Sequence, residues 1–202
     1  MTIKTERLLA RAKKIAKKGE VEEAKKIFSM VLESSPHNQE AKNGLSALHQ
    51  SKDQPGPSQE QIKSIIALFS GGQVQEALVE IETLIKDYPF QPLLFNISGA
   101  FYKEIGKLEE AVKRFEKALA IKPDYPEVHN NLGVTLKDLG QLDNSIKSFK
   151  KALAIKPDYA QAHNNLGVTL KDLGQLDESV KCYKKALAIK PDYAEANNNL
   201  GV

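Results

Sequence analysis

Asparagines recur at a spacing of 34 residues through the second half of the sequence. An asparagine amide both donates and accepts hydrogen bonds, so a row of them can bind the backbone of an extended peptide without reading its side chains. Asparagine is also unfavourable inside a helix by roughly half a kcal/mol, so its repetition requires compensation, and hydrogen bonds between repeats alone are the alternative interpretation. The two columns are Asn96, Asn130, Asn164 and Asn198, and then Asn131, Asn165 and Asn199.

A lysine followed by an acidic residue recurs at the same spacing, as Lys103-Glu104, Lys137-Asp138 and Lys171-Asp172. The adjacent carboxylates lower the local positive potential, which counts against a site that clamps a C-terminal carboxylate with several basic side chains. Together the two features predict a peptide-binding groove formed by Asn96, Asn130, Asn131, Lys137, Asn164, Asn165, Lys171 and Asn198.

Residues that could carry catalysis or bind a metal form no recognisable motif. The histidines are His37, His49, His129 and His163, and the last two occupy equivalent positions in neighbouring repeats, about 10 Å apart. A metal needs three or more ligands within a few ångströms, so we expect these two to pack in the core. Phosphate-binding glycine loops, G-x-S-x-G and H-E-x-x-H are all missing from the sequence, and Cys182 has no adjacent base. We predict no enzymatic activity, no metal and no cofactor.

A 34-residue period organises these residues. Segments 126–159 and 160–193 differ at only seven positions. The same frame recurs, with more drift, at Gly72, Gly106, Gly140 and Gly174 and at Pro89, Pro123, Pro157 and Pro191. Gly19 and Pro36 have the same separation as Gly72 and Pro89, so residues 5–38 follow the same pattern out of register. The array divides into units 58–91, 92–125, 126–159, 160–193 and a partial unit 194–202.

Each unit is predicted to contain two helices joined by a glycine turn. In the third unit the first helix runs from Pro126 to Leu139, because proline suits an opening turn and Gly140 suits the left-handed position after a helix end. The second runs over 142–155 and ends before Pro157, since the residue preceding a proline is disfavoured in a helix. Neither helix can bury its apolar side alone, so neighbouring units must stack.

The pattern resembles the tetratricopeptide repeat over 58–202, and more weakly over 5–38. A leucine-glycine pair, a small residue, an aromatic residue, an alanine and a closing proline recur, as in Leu132-Gly133, Ser145, Phe149, Ala152 and Pro157. The NNLG segments are similar to the superhelical arm of O-linked N-acetylglucosamine transferases, whose asparagine ladder holds substrate polypeptide. Departures are His129 and His163, where the family often has tryptophan, and Ser64-Ile65 in place of leucine-glycine.

This resemblance implies an all-α fold, an α-solenoid of 34-residue helix-turn-helix repeats in a right-handed superhelix whose first helices line a concave groove. It implies a protein-protein interaction scaffold that binds an extended or helical peptide there. In the first repeat of the array, 58–91, the groove positions Ile62, Ile66 and Phe69 are apolar. Such a patch would accept a partner helix or receive the N-terminal bundle.

The N-terminal part is predicted to be a separate bundle. Residues 1–50 contain the repeat-like helix pair and a further helix from about Gln39 to His49, and 51–57 form a polar linker with proline and glycine. The bundle either docks on the array 58–202 or is hinged from it.

Composition favours a soluble protein. The 29 basic and 26 acidic residues give a net charge of +3, which is too balanced for a nucleic-acid or membrane-binding surface. A single cysteine and the lack of a long apolar run suit a reducing compartment, so we expect a cytoplasmic protein.

The sequence ends at Val202, within the first helix of a further repeat. We interpret it as part of a longer protein, and the alternative to an interaction scaffold is then that the array is the substrate-recognition arm of a glycosyltransferase, sulfotransferase or oxygenase. In isolation, the uncovered C-terminal surface would favour end-to-end or swapped homo-oligomers. A self-assembling structural array is a third interpretation.

Overall fold

The computed structural model describes residues 3–17, 20–53 and 56–201, and within these ranges every regular element is a helix. Contacts divide the chain into two compact units, each larger than a repeat, which are called the first unit (Met1–Phe95) and the second unit (Asn96–Val202) from here on. The predicted all-α helical repeat fold is therefore confirmed. The helices are α1 (Ile3–Lys17), α2 (Val21–Ser34), α3 (Gln39–Asp53), α4 (Gln59–Ser70), α5 (Val74–Asp87), α6 (Pro92–Glu104), α7 (Leu108–Ile121), α8 (Pro126–Asp138), α9 (Leu142–Ile155), α10 (Ala160–Asp172), α11 (Leu176–Ile189) and α12 (Ala194–Leu200).

The turn between α8 and α9 forms as the glycine predicts. Gly140 has φ 74°, a left-handed conformation that costs glycine little because it has no Cβ. Its N–H donates to the carbonyl of Lys137, and the N–H of Gln141 donates to Leu136, both at 2.8 Å. These bonds satisfy carbonyls that the end of α8 would otherwise leave without partners. The same conformation recurs at Gly72, Gly106 and Gly174.

The two helices of each repeat approach closely where the first carries a glycine. A Cβ built on Gly133 would lie 2.6 Å from the ring of Phe149, so no larger residue fits without a shift. Ser145 donates its hydroxyl to the carbonyl of Gly133 at 2.7 Å, which ties α9 to α8 through a buried bond. The repeat that follows has the same contacts between Gly167, Tyr183 and Ser179.

Consecutive repeats share a hydrophobic core in the second unit. Phe149 of α9 packs with Leu166 and Leu170 of α10, and Ile146 and Leu153 border this cluster. Each of α7 to α11 contacts the helix that follows it, and α10 also contacts α8 and α12. The first helices of successive repeats are therefore direct neighbours.

The first unit has its own core. Helices α1, α2 and α3 bury Leu9, Ile27, Phe28 and Leu48, and Phe90, which follows α5, packs against the same cluster. Helix α3 extends to Asp53, beyond the predicted end near residue 49. Gly19, the side chain of His49 and residues 54–55 of the predicted linker lie outside the described residues. The division into 1–50, 51–57 and 58–202 stays a prediction.

Candidate peptide-binding site

The asparagines form a hydrogen-bonded ladder between consecutive first helices. Asn165 of α10 donates its Nδ2–H to Oδ1 of Asn130 on α8 at 3.0 Å. Asn131 donates to Asn96 in the same way, and Asn199 donates to Asn164, each also at 3.0 Å. Every bond joins residues 35 positions apart, so it links the second column of one repeat to the first column of the previous one.

The two columns differ in exposure. Asn130 is only 2% exposed and Asn164 only 5%, because the next first helix covers them. Asn131 and Asn165 are half-buried, and Asn198 is exposed. The first column therefore serves mainly as acceptor for its neighbour, while the second column lies nearer to solvent.

The second column keeps unused hydrogen-bonding capacity. An asparagine amide has two N–H donors and a carbonyl oxygen with two lone pairs. For Asn131 and Asn165, the ladder uses one N–H each, and no described residue bonds Oδ1 or the remaining N–H. Because the ladder bond fixes the side chain, these groups are held in one orientation.

Threonine hydroxyls bond the backbone carbonyls of the second asparagine column, which was not predicted from the sequence. Thr135 donates to the backbone carbonyl of Asn131 at 2.8 Å, and Thr169 donates to that of Asn165 at 2.9 Å. Both threonines are fully buried. The signal was present in the sequence, since a threonine four residues after another helical position can bond its carbonyl.

The predicted groove lysines make weak ion pairs at most. Lys137 lies 3.8 Å from Asp138, with its side chain 30% exposed. Lys171 is exposed, and the described residues give it no ion pair. Pairs of this length and exposure contribute little to stability, so these side chains can reorient toward a ligand.

The predicted apolar patch lies on α4 of the first unit. Ile66 is 42% exposed, whereas Ile62 and Phe69 are half-buried. Ile65, between them in sequence, is buried against the rest of that unit. A partner for this patch stays a prediction.

The histidines of the array pack in the core, as predicted. His129 is 7% exposed, and its Nε2–H donates to the carbonyl of Pro123 at 2.9 Å. His163 makes the equivalent bond to Pro157 at 2.9 Å. Burial lowers the pKa of His129, although the bond to Pro123 opposes this. Both rings are therefore fixed by a hydrogen bond to a turn carbonyl.

Other chemistry is not apparent in the part of the chain that the structure describes. Burial raises the pKa of the Cys182 thiol. Within the described ranges, no three histidine, cysteine, aspartate or glutamate side chains come close enough together to hold a metal ion. None of the described helices has the length and apolar character needed to cross a membrane.

A family model matches the sequence, and solved structures match the fold. The family model described as TPR repeat matches residues 99–140, 135–174 and 169–202, which together make up just over half of the chain. No curated protein matches the sequence significantly. Among solved structures, that of MamA is 22% identical with a TM-score of 0.61, and the match covers 96% of this chain and 98% of that one.

Two further structures are similar. YrrB, described as a TPR protein with an unusual peptide-binding site, is 19% identical with a TM-score of 0.59, and the match covers 96% of this chain and 91% of that one. The first TPR of Spaghetti (RPAP3), bound to the HSP90 peptide SRMEEVD, is 25% identical with a TM-score of 0.54. That match covers 55% of this chain and 88% of the other. At identities below 25%, the likeness concerns the fold alone.

Proposed function

This chain belongs to the tetratricopeptide repeat family, and on that premise we propose that it is a protein-interaction scaffold that binds an extended segment of a partner protein. The proposed site is the surface of α8, α10 and α12 that carries the asparagine ladder. The matching TPR of Spaghetti (RPAP3) is bound to a peptide, which supports peptide binding as a use of this architecture.

One observation carries the proposal. Asn131 and Asn165 occupy equivalent positions on consecutive repeats and are fixed by the ladder, yet each keeps Oδ1 and one N–H without a partner among the described residues. Such groups match the alternating N–H and carbonyl groups of a peptide backbone. A ladder that served packing alone would not need to leave hydrogen-bonding groups of the half-buried Asn131 and Asn165 without a partner.

The site would therefore recognise the backbone more than the side chains. Lys137 and Lys171 lie two turns beyond the ladder on the same helices, where they would bind carboxylates of the ligand. The predicted result is broad sequence tolerance with modest affinity, since each backbone bond contributes about 1 kcal/mol.

Selection from a random-peptide display library provides ligands for the test, with affinity measured by fluorescence anisotropy. The N131A/N165A variant is expected to lose affinity severalfold, whereas N144A, which alters an exposed asparagine of α9, should bind like the parent protein. N-methylation of the ligand backbone should weaken binding more than alanine substitution of its side chains. Equal affinity of N131A/N165A and the parent protein would show that the ladder is structural only.

A further inference from the structure

A pocket lies on the opposite set of helices, between α9 and α11. Its volume is about 530 Å³, within the range of sites that bind small ligands. His163 and Leu166 of α10 line it, together with the apolar side chains of Leu153, Cys182 and Ile189. All these residues belong to the second unit.

Two lysines, Lys150 and Lys185, stand at this pocket without a neutralising carboxylate. No acidic residue is among the residues that line it. Burial raises the pKa of the Cys182 thiol, whereas Lys185 and Lys150 lower it. Glu178, which lies one helical turn before Cys182 and does not line the pocket, raises this pKa.

The surface around the pocket is also positively charged. Helices α9 and α11 expose six lysines that make no ion pair with any described residue, namely Lys147, Lys150, Lys151, Lys181, Lys184 and Lys185. The acidic residues of these helices, Asp143, Asp177 and Glu178, are confined to their first turns. The positive potential is therefore concentrated over the pocket and the helix surface beside it.

The preceding repeat provides an internal comparison. An equivalent pocket of about 590 Å³ lies between α7 and α9, and His129 and Leu132 are among the residues that line it. There Glu116 occupies the position of Lys150, and Asp124 lines the pocket together with Lys151, whereas Asp158, the equivalent of Asp124, is not among the residues that line the second pocket. The two pockets are similar in volume and apolar lining but differ in charge.

We propose that the pocket between α9 and α11 is a second binding site, which takes a large apolar side chain from an acidic segment of a partner protein. The apolar walls would bury a leucine-sized side chain, and Lys150 and Lys185 would pair with carboxylates on either side of it. The site is separate from the ladder surface and does not depend on it. The neighbouring pocket would reject the same ligand because Glu116 and Asp124 repel it.

The probe is a fluorescein-labelled Glu-Asp-Leu-Leu-Glu peptide, with Glu-Asp-Ala-Ala-Glu and Lys-Lys-Leu-Leu-Lys as controls. The parent protein should bind the first peptide saturably and with decreasing affinity as salt rises. K150E/K185E should weaken binding by about tenfold or more, whereas K151E, which reverses one lysine of the surrounding surface, should weaken it by about twofold at most. N131A/N165A should also bind normally, which separates this site from the ladder.

The reactivity of Cys182, the only cysteine of the chain, tests whether the peptide binds in this pocket. Saturating peptide should slow the alkylation of Cys182 by N-ethylmaleimide, and E116K/D124N should raise the stoichiometry from one peptide to two. Unchanged affinity of K150E/K185E, unchanged alkylation in the presence of bound peptide, or a stoichiometry still at one would overturn the proposal. Equal competition by octanoate would also overturn it, because the pocket would then accept any anionic apolar molecule.

Discussion

Asn165 donates a 3.0 Å hydrogen bond to Asn130, a residue of the previous repeat that is only 2% exposed. Replacing Asn165 by alanine removes the donor and leaves a buried carbonyl oxygen without its partner. We expect a loss of about 1–3 kcal/mol of stability, reduced by about half a kcal/mol because alanine favours the helix.

A double-mutant cycle separates the bond from helix propensity. N130A, N165A and the double variant should show a coupling of about 1 kcal/mol in urea denaturation. The exposed Asn144 provides the propensity control, and N144A should be neutral or slightly stabilising. Strict additivity of the two ladder variants would contradict the bond.

Close packing at Gly133 gives a second prediction. G133A places a Cβ 2.6 Å from the Phe149 ring, so ring and helix must move apart. Overpacking of this kind typically costs about 1–3 kcal/mol. The companion variant G133A/F149L should recover part of that loss relative to F149L alone, as measured by thermal denaturation. If G133A were as stable as the parent, the two helices would not be held at the distance described.

Tyr183 carries a third prediction, because its hydroxyl is buried without a hydrogen-bond partner among the described residues. The equivalent residues Phe115 and Phe149 lack this group and are also fully buried. We expect Y183F to raise stability by about 1 kcal/mol, since it removes an unsatisfied polar atom at nearly constant volume. F149Y should lower stability by a similar amount. A lower melting temperature for Y183F would show that the hydroxyl is satisfied in solution.

His129 makes stability dependent on pH. Burial lowers its pKa in the folded protein, Lys151 lowers it further, and the Pro123 carbonyl and Asp124 raise it. The unfolded chain therefore takes up a proton more readily than the folded one. The contribution of neutral His129 is present above the unfolded pKa of about 6.5 and is lost as pH falls through the lowered folded pKa.

The measurement compares melting temperatures of the parent protein and H129Q between about pH 7.5 and pH 5. Glutamine can still donate to the Pro123 carbonyl but does not titrate. The parent protein should lose more stability over this range than H129Q. Identical pH profiles would remove His129 as the source.

The helix-turn-helix pattern of the repeats was readable from residues with strong local preferences. Pro126 and Gly140 bound α8 within one residue of the prediction, because a proline opens a helix and a left-handed turn favours glycine. The end of α3 was less predictable, because residues 50–53 contain no helix-ending signal as strong as proline or glycine.

The sequence by itself determined the repeat, its two helices, the core histidines and the periodic placement of the asparagines, since all of these follow from spacing along one chain. Only the tertiary structure decided that Asn165 bonds Asn130 and that Lys150 and Lys185 share a pocket. Both of these arrangements join groups on different helices. Linear spacing assigns a residue to a face, whereas the distance between two faces depends on how the helices pack.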